Sequence, residues 1–88
     1  MGGMDMMNNP LTSRVDDMLR WQFRMRNRLL TCGITKNPNG FNVITLPHWD
    51  IKSGIVETFK NQAAALQRHA VIAEQLRSSG WSIASYTR

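Results

Sequence analysis

The chain has 88 residues, and its 11 lysine and arginine residues outnumber its 6 aspartate and glutamate residues, which gives a formal net charge of +5. This length predicts one domain, and the basic balance favours a polyanionic partner, either nucleic acid or an acidic protein surface. No apolar stretch approaches membrane-spanning length. The single cysteine, Cys32, excludes an internal disulfide and a cysteine-rich zinc site. We therefore expect a cytoplasmic protein, and the lack of a long apolar stretch predicts no membrane partner.

Methionine, glycine and asparagine dominate the N-terminal start, which shows no apolar periodicity and no basic region followed by an apolar run. This composition is not that of a secretory signal. We expect residues 1–13 to form a disordered tail and residues 14–88 to form a single α+β domain. Ser13 followed by Asp16 resembles a capping box, which marks the start of a helix.

Residues 20–26 alternate polar and apolar side chains at every step, which is the period of a β-strand. A two-residue turn at Arg26-Asn27 would place the apolar residues of two strands in register on one face: Phe23 with Leu30, Trp21 with Cys32, and Leu19 with Ile34. Arg-Asn is not a favoured pair for such a turn. The alternative is a long helix ending at Gly33, because the stretch lacks β-branched residues and also fits a helical stripe. We favour the hairpin.

The middle of the chain is rich in turn signals and strand formers. Residues 36–40 predict a turn, residues 41–46 a strand that Pro47 ends, and residues 48–54 a polar connection. Residues 55–59 then predict a short strand that leads directly into a helix. Residues 81–86 predict either a last edge strand or an ordered tail.

Residues 61–80 predict a helix with legible boundaries. Asn61 is a favourable N-cap, and the alanines that follow are strong helix formers. Gly80 can take the left-handed conformation that ends a helix, with Trp81 folding back on Leu76. One broad side of the helical wheel is apolar and is predicted to lie on the core: Phe59, Ala63, Leu66, Ala70, Ala73, Leu76 and, at its edge, Ile72.

The predicted fold class is therefore α+β. A small antiparallel meander of three to four strands would be packed on one face by a single long C-terminal helix. The alternative is an α-β-β-α arrangement, in which an N-terminal helix replaces the first hairpin. Folds of this size serve many unrelated functions, so the fold class decides little about activity.

The candidate binding site is a basic row along the predicted hairpin. Between Met18 and Trp49 the chain has no acidic residue, and five basic side chains are the proposed phosphate contacts: Arg20, Arg24, Arg26, Arg28 and Lys36. In the strand interpretation the arginines project from the sheet face opposite the helix. The alternative is a solvated sheet face that is kept charged against aggregation. Trp21 and Phe23 point to the core in this register, which leaves Phe41 and Trp49 as spare aromatics for stacking on bases.

Two arrangements of residues carry potential catalytic chemistry. His48 and Asp50 could form a base with its orienting carboxylate or two metal ligands, but no third partner is identifiable. The alternative is a turn in which Trp49 packs down and Asp50 bonds locally. His69 lies in the apolar arc and could approach Cys32, although a lone cysteine on an apolar strand is typical of a core residue. We predict no enzymatic activity, no cofactor and no metal.

Two functions remain open. The first is a small basic module that binds DNA or RNA through the arginine-rich strand face. The second is a protein-interaction or homodimerisation module without nucleic-acid binding. It is motivated by the strand at residues 41–46, where Ile44 and Leu46 would face away from Phe41 and Val43, leaving apolar groups on both faces.

Overall fold

The computed structural model of the protein describes residues 17–87. Its elements follow in the order β1 (Asp17–Met25), β2 (Arg28–Asn37), β3 (Gly40–Pro47), a 3-10 turn (Ile51–Ser53), β4 (Ile55–Phe59), α1 (Gln62–Ser78) and β5 (Ser82–Thr87). All strand pairs are antiparallel, and the sheet has the spatial order β4-β3-β2-β1-β5. The predicted tail and the Ser13 capping box lie outside the described residues.

The hairpin between β1 and β2 forms in the predicted register. Phe23 pairs with Leu30, Trp21 with Cys32 and Leu19 with Ile34, so the apolar residues of both strands share one face. The turn forms although its sequence is not a favoured one. Arg26 takes φ +59, the left-handed value that the favoured two-residue hairpin turns have at their first central position. The alternative N-terminal helix is wrong for residues 17–25.

The sheet has five strands instead of the three to four predicted. The additional strand is β5, which pairs with β1 at the edge of the sheet opposite β4. The chain reaches this edge because α1 follows β4 at one edge, contacts β2 and β3 as it crosses the sheet, and contacts β5 at the other edge. Of the two predicted alternatives for this segment, the edge strand forms and the tail does not, because β1 has an edge with which Ser82–Thr87 can pair.

The turn between β2 and β3 is built by its predicted breakers. The Asn37 side chain accepts a hydrogen bond from the Asn39 backbone N–H at 2.7 Å, which closes an Asx turn. Gly40 then takes φ +149, and a Cβ at this position would lie 2.3 Å from the Phe59 carbonyl oxygen. Glycine is therefore required here both by the backbone conformation and by the close approach of β4.

Both ends of α1 match the predicted caps. The Asn61 side chain accepts from the Ala64 backbone N–H at 2.8 Å. At the other end Gly80 takes φ +103, and the Trp81 backbone N–H donates to the Leu76 carbonyl at 3.0 Å, which is a Schellman motif. Because a Cβ is strained at this φ, Gly80→Ala is expected to destabilise the protein by about 1 kcal/mol.

The buried side of α1 differs in part from the predicted side. Ala63, Leu66 and Ala70 are exposed, whereas Ala73 and Ile72 are buried as expected. The face that lies on the sheet is formed by Ala65, His69, Ile72, Ala73 and Leu76. The predicted arc included all of these except Ala65. Alanine is common all around this helix, so periodicity alone does not select one arc. Small residues at the contact allow the helix to approach the strands closely, which favours the observed arc.

The core lies between α1 and one face of the sheet, which we call the covered face. It is formed by buried side chains from three strands and the helix: Phe23, Leu30, Cys32, Ile34, Val43, Ala65, Ile72 and Ala73. The alternate residues of the same strands point to the other face, which we call the open face. Ile44 and Leu46 lie on the open face, opposite Gly33 and Thr31, as predicted.

Within residues 17–87, α1 is the one α-helix, and it does not have the length and apolar character that crossing a bilayer requires.

Candidate nucleic-acid interface

The first two residues of the predicted basic row, Arg20 and Arg24, lie on the open face of β1. Both are exposed, and four residues of extended chain separate them by about 13 Å. Gln22 stands between them, and its side-chain oxygen accepts a hydrogen bond from the Ser85 hydroxyl of β5 at 3.1 Å. This part of the open face is therefore polar and cationic, with β5 extending it sideways.

The remaining three residues of the row do not continue this face. Arg26 lies in the predicted hairpin turn, so it does not project from the strand face together with Arg20 and Arg24 as the basic row required. Arg28 is paired with Met25 and lies on the covered side of β2, because it alternates in phase with the buried Leu30. Lys36 lies on that side too, about 26 Å along β2 from Arg28. The row thus divides between the two faces and two ends of the sheet.

The end of the sheet that carries the Arg26-Asn27 turn, which we call the hairpin end, collects four of the nine lysine and arginine residues found among residues 17–87. The turn and the strand residues next to it place three arginines at this end: Arg24, Arg26 and Arg28. Arg77 joins them from α1, since it lies one helical turn before Gly80, and a Cβ on Gly80 would lie 3.5 Å from the Met25 sulfur. Glu74 lies three residues before Arg77 in α1, and Asp50 lies in the loop that follows β3.

These arginines are not neutralised by ion pairs within the described part of the chain. The one ion pair found among the side chains of residues 18–87 joins Arg68 Nε to Glu57 Oε1 at 2.8 Å, between α1 and β4. It uses a carboxylate on the covered face, away from the hairpin end. The guanidinium groups at the hairpin end are consequently free to meet an anionic ligand without breaking an ion pair among the described residues.

An aromatic column stands beside the hairpin end and consists of Arg28, Trp49 and Trp81. The indole rings of Trp49 and Trp81 are nearly parallel, with centroids 5.7 Å apart and planes inclined by 14°. The Arg28 guanidinium carbon lies over the Trp49 ring, 4.9 Å from its centroid. Such a cation–π contact is favourable, and it combines charge with a flat stacking surface.

The two loops that carry the indole rings are fixed to the sheet and the helix. The His48 backbone N–H donates to the Leu29 carbonyl at 3.0 Å, which holds the chain just before Trp49 against β2. Trp81 is held by the Schellman bond to Leu76 and packs against the core. The column is therefore positioned by backbone hydrogen bonds at the end of the sheet, and its geometry does not depend on side-chain packing alone.

The predicted His48 and Asp50 pair does not form. The His48 Nε2 atom and the Thr31 hydroxyl share a hydrogen bond at 2.6 Å, and the Asp50 carboxylate accepts from the Ser53 hydroxyl at 2.5 Å. The two side chains thus have different partners. The alternative of a turn with a local bond from Asp50 describes this loop better, although the partner of Asp50 is a side chain and Trp49 is 45% exposed instead of packed down.

His69 and Cys32 do approach each other, but not as a catalytic pair. The His69 ring Nε2–H donates to the Cys32 backbone carbonyl at 3.2 Å, and the thiol takes no part in this bond. Burial lowers the pKa of His69, an effect that the same hydrogen bond partly offsets. Burial also raises the pKa of Cys32 to about 11, so the thiol stays protonated at neutral pH and is a poor nucleophile. The pair belongs to the core.

The sequence did not reveal the aromatic column or the contribution of Arg77. Their assembly depends on β3 and α1 ending at the same end of the sheet, which periodicity within single elements does not show. Two local signals do point there: Trp49 follows the strand-ending Pro47, and Trp81 follows the helix-ending Gly80.

Compared with known proteins, this chain matches no family model, no curated protein sequence and no solved structure.

Proposed function

We propose that this protein is a nucleic-acid-binding module whose binding surface is the hairpin end together with the adjoining strip of the open face. The residues that would contact phosphates are Arg20, Arg24, Arg26 and Arg28, with Arg77 beside them. The observation that supports this most directly is the set of exposed arginines without ion-pair partners among the described residues. The buried, free Cys32 is compatible with the cytoplasmic location expected from the sequence.

Phosphate contacts by arginine supply affinity without reading sequence. Each neutralised phosphate releases condensed counterions, so the binding constant falls steeply as salt rises. The guanidinium group suits this role because its planar fork can donate two hydrogen bonds to one phosphate. Binding is therefore expected to tolerate many sequences and to depend strongly on ionic strength.

The test is a salt-dependent titration of labelled DNA and RNA oligonucleotides by fluorescence anisotropy. Replacing Arg24 and Arg26 together by Ala should weaken binding and make the slope of log K against log salt shallower by about 1.4 to 1.8, since about 0.7 to 0.9 is lost per phosphate contact. The charge-matched control is Lys52→Ala with Lys60→Ala, which removes the same charge elsewhere on the surface. Full binding by the Arg24/Arg26 variant would overturn the proposal.

Lys36 is tested separately because of its distance from the hairpin end. It belongs to the basic row predicted from sequence, yet it lies at the other end of β2. We expect Lys36→Ala to leave the salt slope close to that of the Lys52/Lys60 control. A slope as shallow as that of the arginine variant would instead extend the binding surface along the whole strand.

A second candidate function, self-association through the open face, has an observation of its own. Leu29, Ile44 and Leu46 are only half-buried there, and Val56 beside them is 59% exposed. Apolar groups on the outer face of a sheet favour a protein contact. A second copy of this chain is the simplest occupant. Sedimentation should then show a concentration-dependent dimer that Leu46→Lys abolishes, and a monomer at all concentrations would remove this candidate.

A further inference from the structure

We propose that the aromatic column is a stacking platform for one unpaired base, which makes the ligand single-stranded nucleic acid. This inference rests on the proposed function and narrows it, because phosphate contacts alone do not distinguish a single strand from a duplex. It assigns Arg28 as the residue that stacks on the base and links it to its phosphate, and Trp49 as the ring that supports the Arg28 guanidinium.

Trp49 is more exposed than a tryptophan that only packs a loop would be. Its side chain remains 45% exposed although the ring stacks on Trp81 and lies beneath Arg28. A tryptophan that served only to pack the loop would direct its surface to the core, as Trp81 does. The exposed part of the Trp49 ring and the guanidinium above it instead present a flat, cationic surface to solvent. Bases stack on surfaces of this kind, both on aromatic rings and on arginine planes.

The space beside the column is large enough to receive a base. An open depression of about 510 Å³ is lined by Met25, Arg26, Asn27 and Arg28. Its size lies within the range of ligand-sized clefts, about 300–1,000 Å³. A base in this depression would continue the column from Arg28, and the phosphates on either side would be within reach of Arg26 and Arg24. Stacking and phosphate contacts would thus be made by one short stretch of a strand.

The chemistry of the column excludes an internal base pair of a duplex as its ligand. In a duplex the faces of each base are covered by its neighbours, so side chains reach only the edges and the backbone. In a single strand the bases can be splayed out and stacked on protein side chains. A duplex would therefore meet the arginines and leave the column unused, whereas a single strand would use both.

The test compares three labelled probes of equal length by fluorescence anisotropy at one salt concentration. The probes are a single-stranded DNA, the corresponding duplex, and a backbone built entirely from abasic sites. We expect the wild-type protein to bind the single strand most tightly. Trp49→Ala should weaken binding to the single strand between about fivefold and about a hundredfold, the usual range for one stacked base. It should leave binding to the abasic backbone unchanged.

Two further variants separate stacking from damage to the fold. Trp49→Phe keeps an aromatic ring and should retain most of the single-strand affinity. Tyr86→Ala removes another exposed aromatic, on β5 opposite Trp21 and away from the hairpin end, and should have no effect. Equal binding of the single strand by wild type and Trp49→Ala would overturn this inference while leaving the proposed function intact. Absence of binding to all three probes would overturn both.

Discussion

The two faces of the sheet are made by the same strands, yet one is apolar and buried and the other is exposed and carries positive charge. On the covered face Phe23, Cys32 and Ile34 are completely buried beneath α1. On the open face Arg20 and Arg24 are exposed on one of those strands, one residue out of phase with the core. The alternation of a strand thus lets a single segment stabilise the fold with one set of residues and present charge with the other. Stability and binding should be separable by mutation.

The sharpest test of this separation uses two leucines on neighbouring strands. Leu30 is 6% exposed in the core, whereas Leu46 lies on the open face and is only half-buried. Leu30→Ala should destabilise the protein by about 2–5 kcal/mol, because it leaves a cavity that the sheet and helix cannot close. Leu46→Ala should cost well under half of that, since water reaches the site. Chemical denaturation of the two variants measures both values.

The outcome also bears on self-association. If Leu46→Ala costs as much free energy of unfolding as Leu30→Ala, the open face is packed against something in solution. Repeating the denaturation at several protein concentrations would identify that partner, because a dimer becomes more stable as its concentration rises. A stability independent of concentration, together with a small cost for Leu46→Ala, would leave the open face to solvent and ligand.

The next largest effect concerns the one polar residue found buried among residues 18–87, His69, which is 3% exposed on the covered face. Burial lowers its pKa below the ordinary value of 6.5. As pH falls below about 6.5, the unfolded chain takes up a proton at His69 and the folded protein resists it, so folding stability decreases. Above that pH both states hold a neutral ring and this contribution is fully present.

Denaturation of the wild type and of His69→Gln between neutral and mildly acidic pH measures this effect. The glutamine keeps an N–H donor for the Cys32 carbonyl and cannot titrate. The wild type should lose more stability than the variant on acidification, by at most about 1.4 kcal/mol per pH unit. The Cys32 thiol, with its pKa raised to about 11, stays neutral throughout this range and does not contribute. Parallel profiles for the two proteins would show that His69 is not held neutral by the fold.

The hairpin and the helix caps were predictable because each depends on neighbours in the sequence. The pairing of Phe23 with Leu30 follows once the turn is placed, and Asn61 and Gly80 mark the helix ends by their own conformational preferences. The fifth strand was harder, since Ser82–Thr87 is exposed along its whole length and has no apolar alternation that depends on burial. This strand forms because α1 leads the chain to the edge of the sheet at which β1 can still pair.

The candidate site was predictable only in its composition. Sequence identified the arginines, and strand alternation correctly placed Arg20 and Arg24 on the open face. The predicted register also implies that Arg28, in phase with Leu30, lies on the covered side. The sequence could not show that Arg28 lies over Trp49, because that contact joins β2 to the loop after β3. Nor could it show that Trp81 stacks on Trp49 from the end of the helix. Contacts of this kind depend on which elements end at the same side of the sheet.

The smallest expected effect is the loss of stability when the open-face arginines are removed. Arg20 and Arg24 make no ion pair among the described residues, and both are exposed, so Arg20→Ala with Arg24→Ala should change the free energy of unfolding by no more than about 0.5 kcal/mol per residue. Reducing a net charge of +5 lowers the repulsion within the folded protein, which opposes any packing loss from the arginine stems. Denaturation at low and at moderate salt separates these two contributions, because only the repulsion is screened. A large cost at both salt concentrations would mean that the stems hold the sheet together and that the arginines belong to the fold as much as to the ligand.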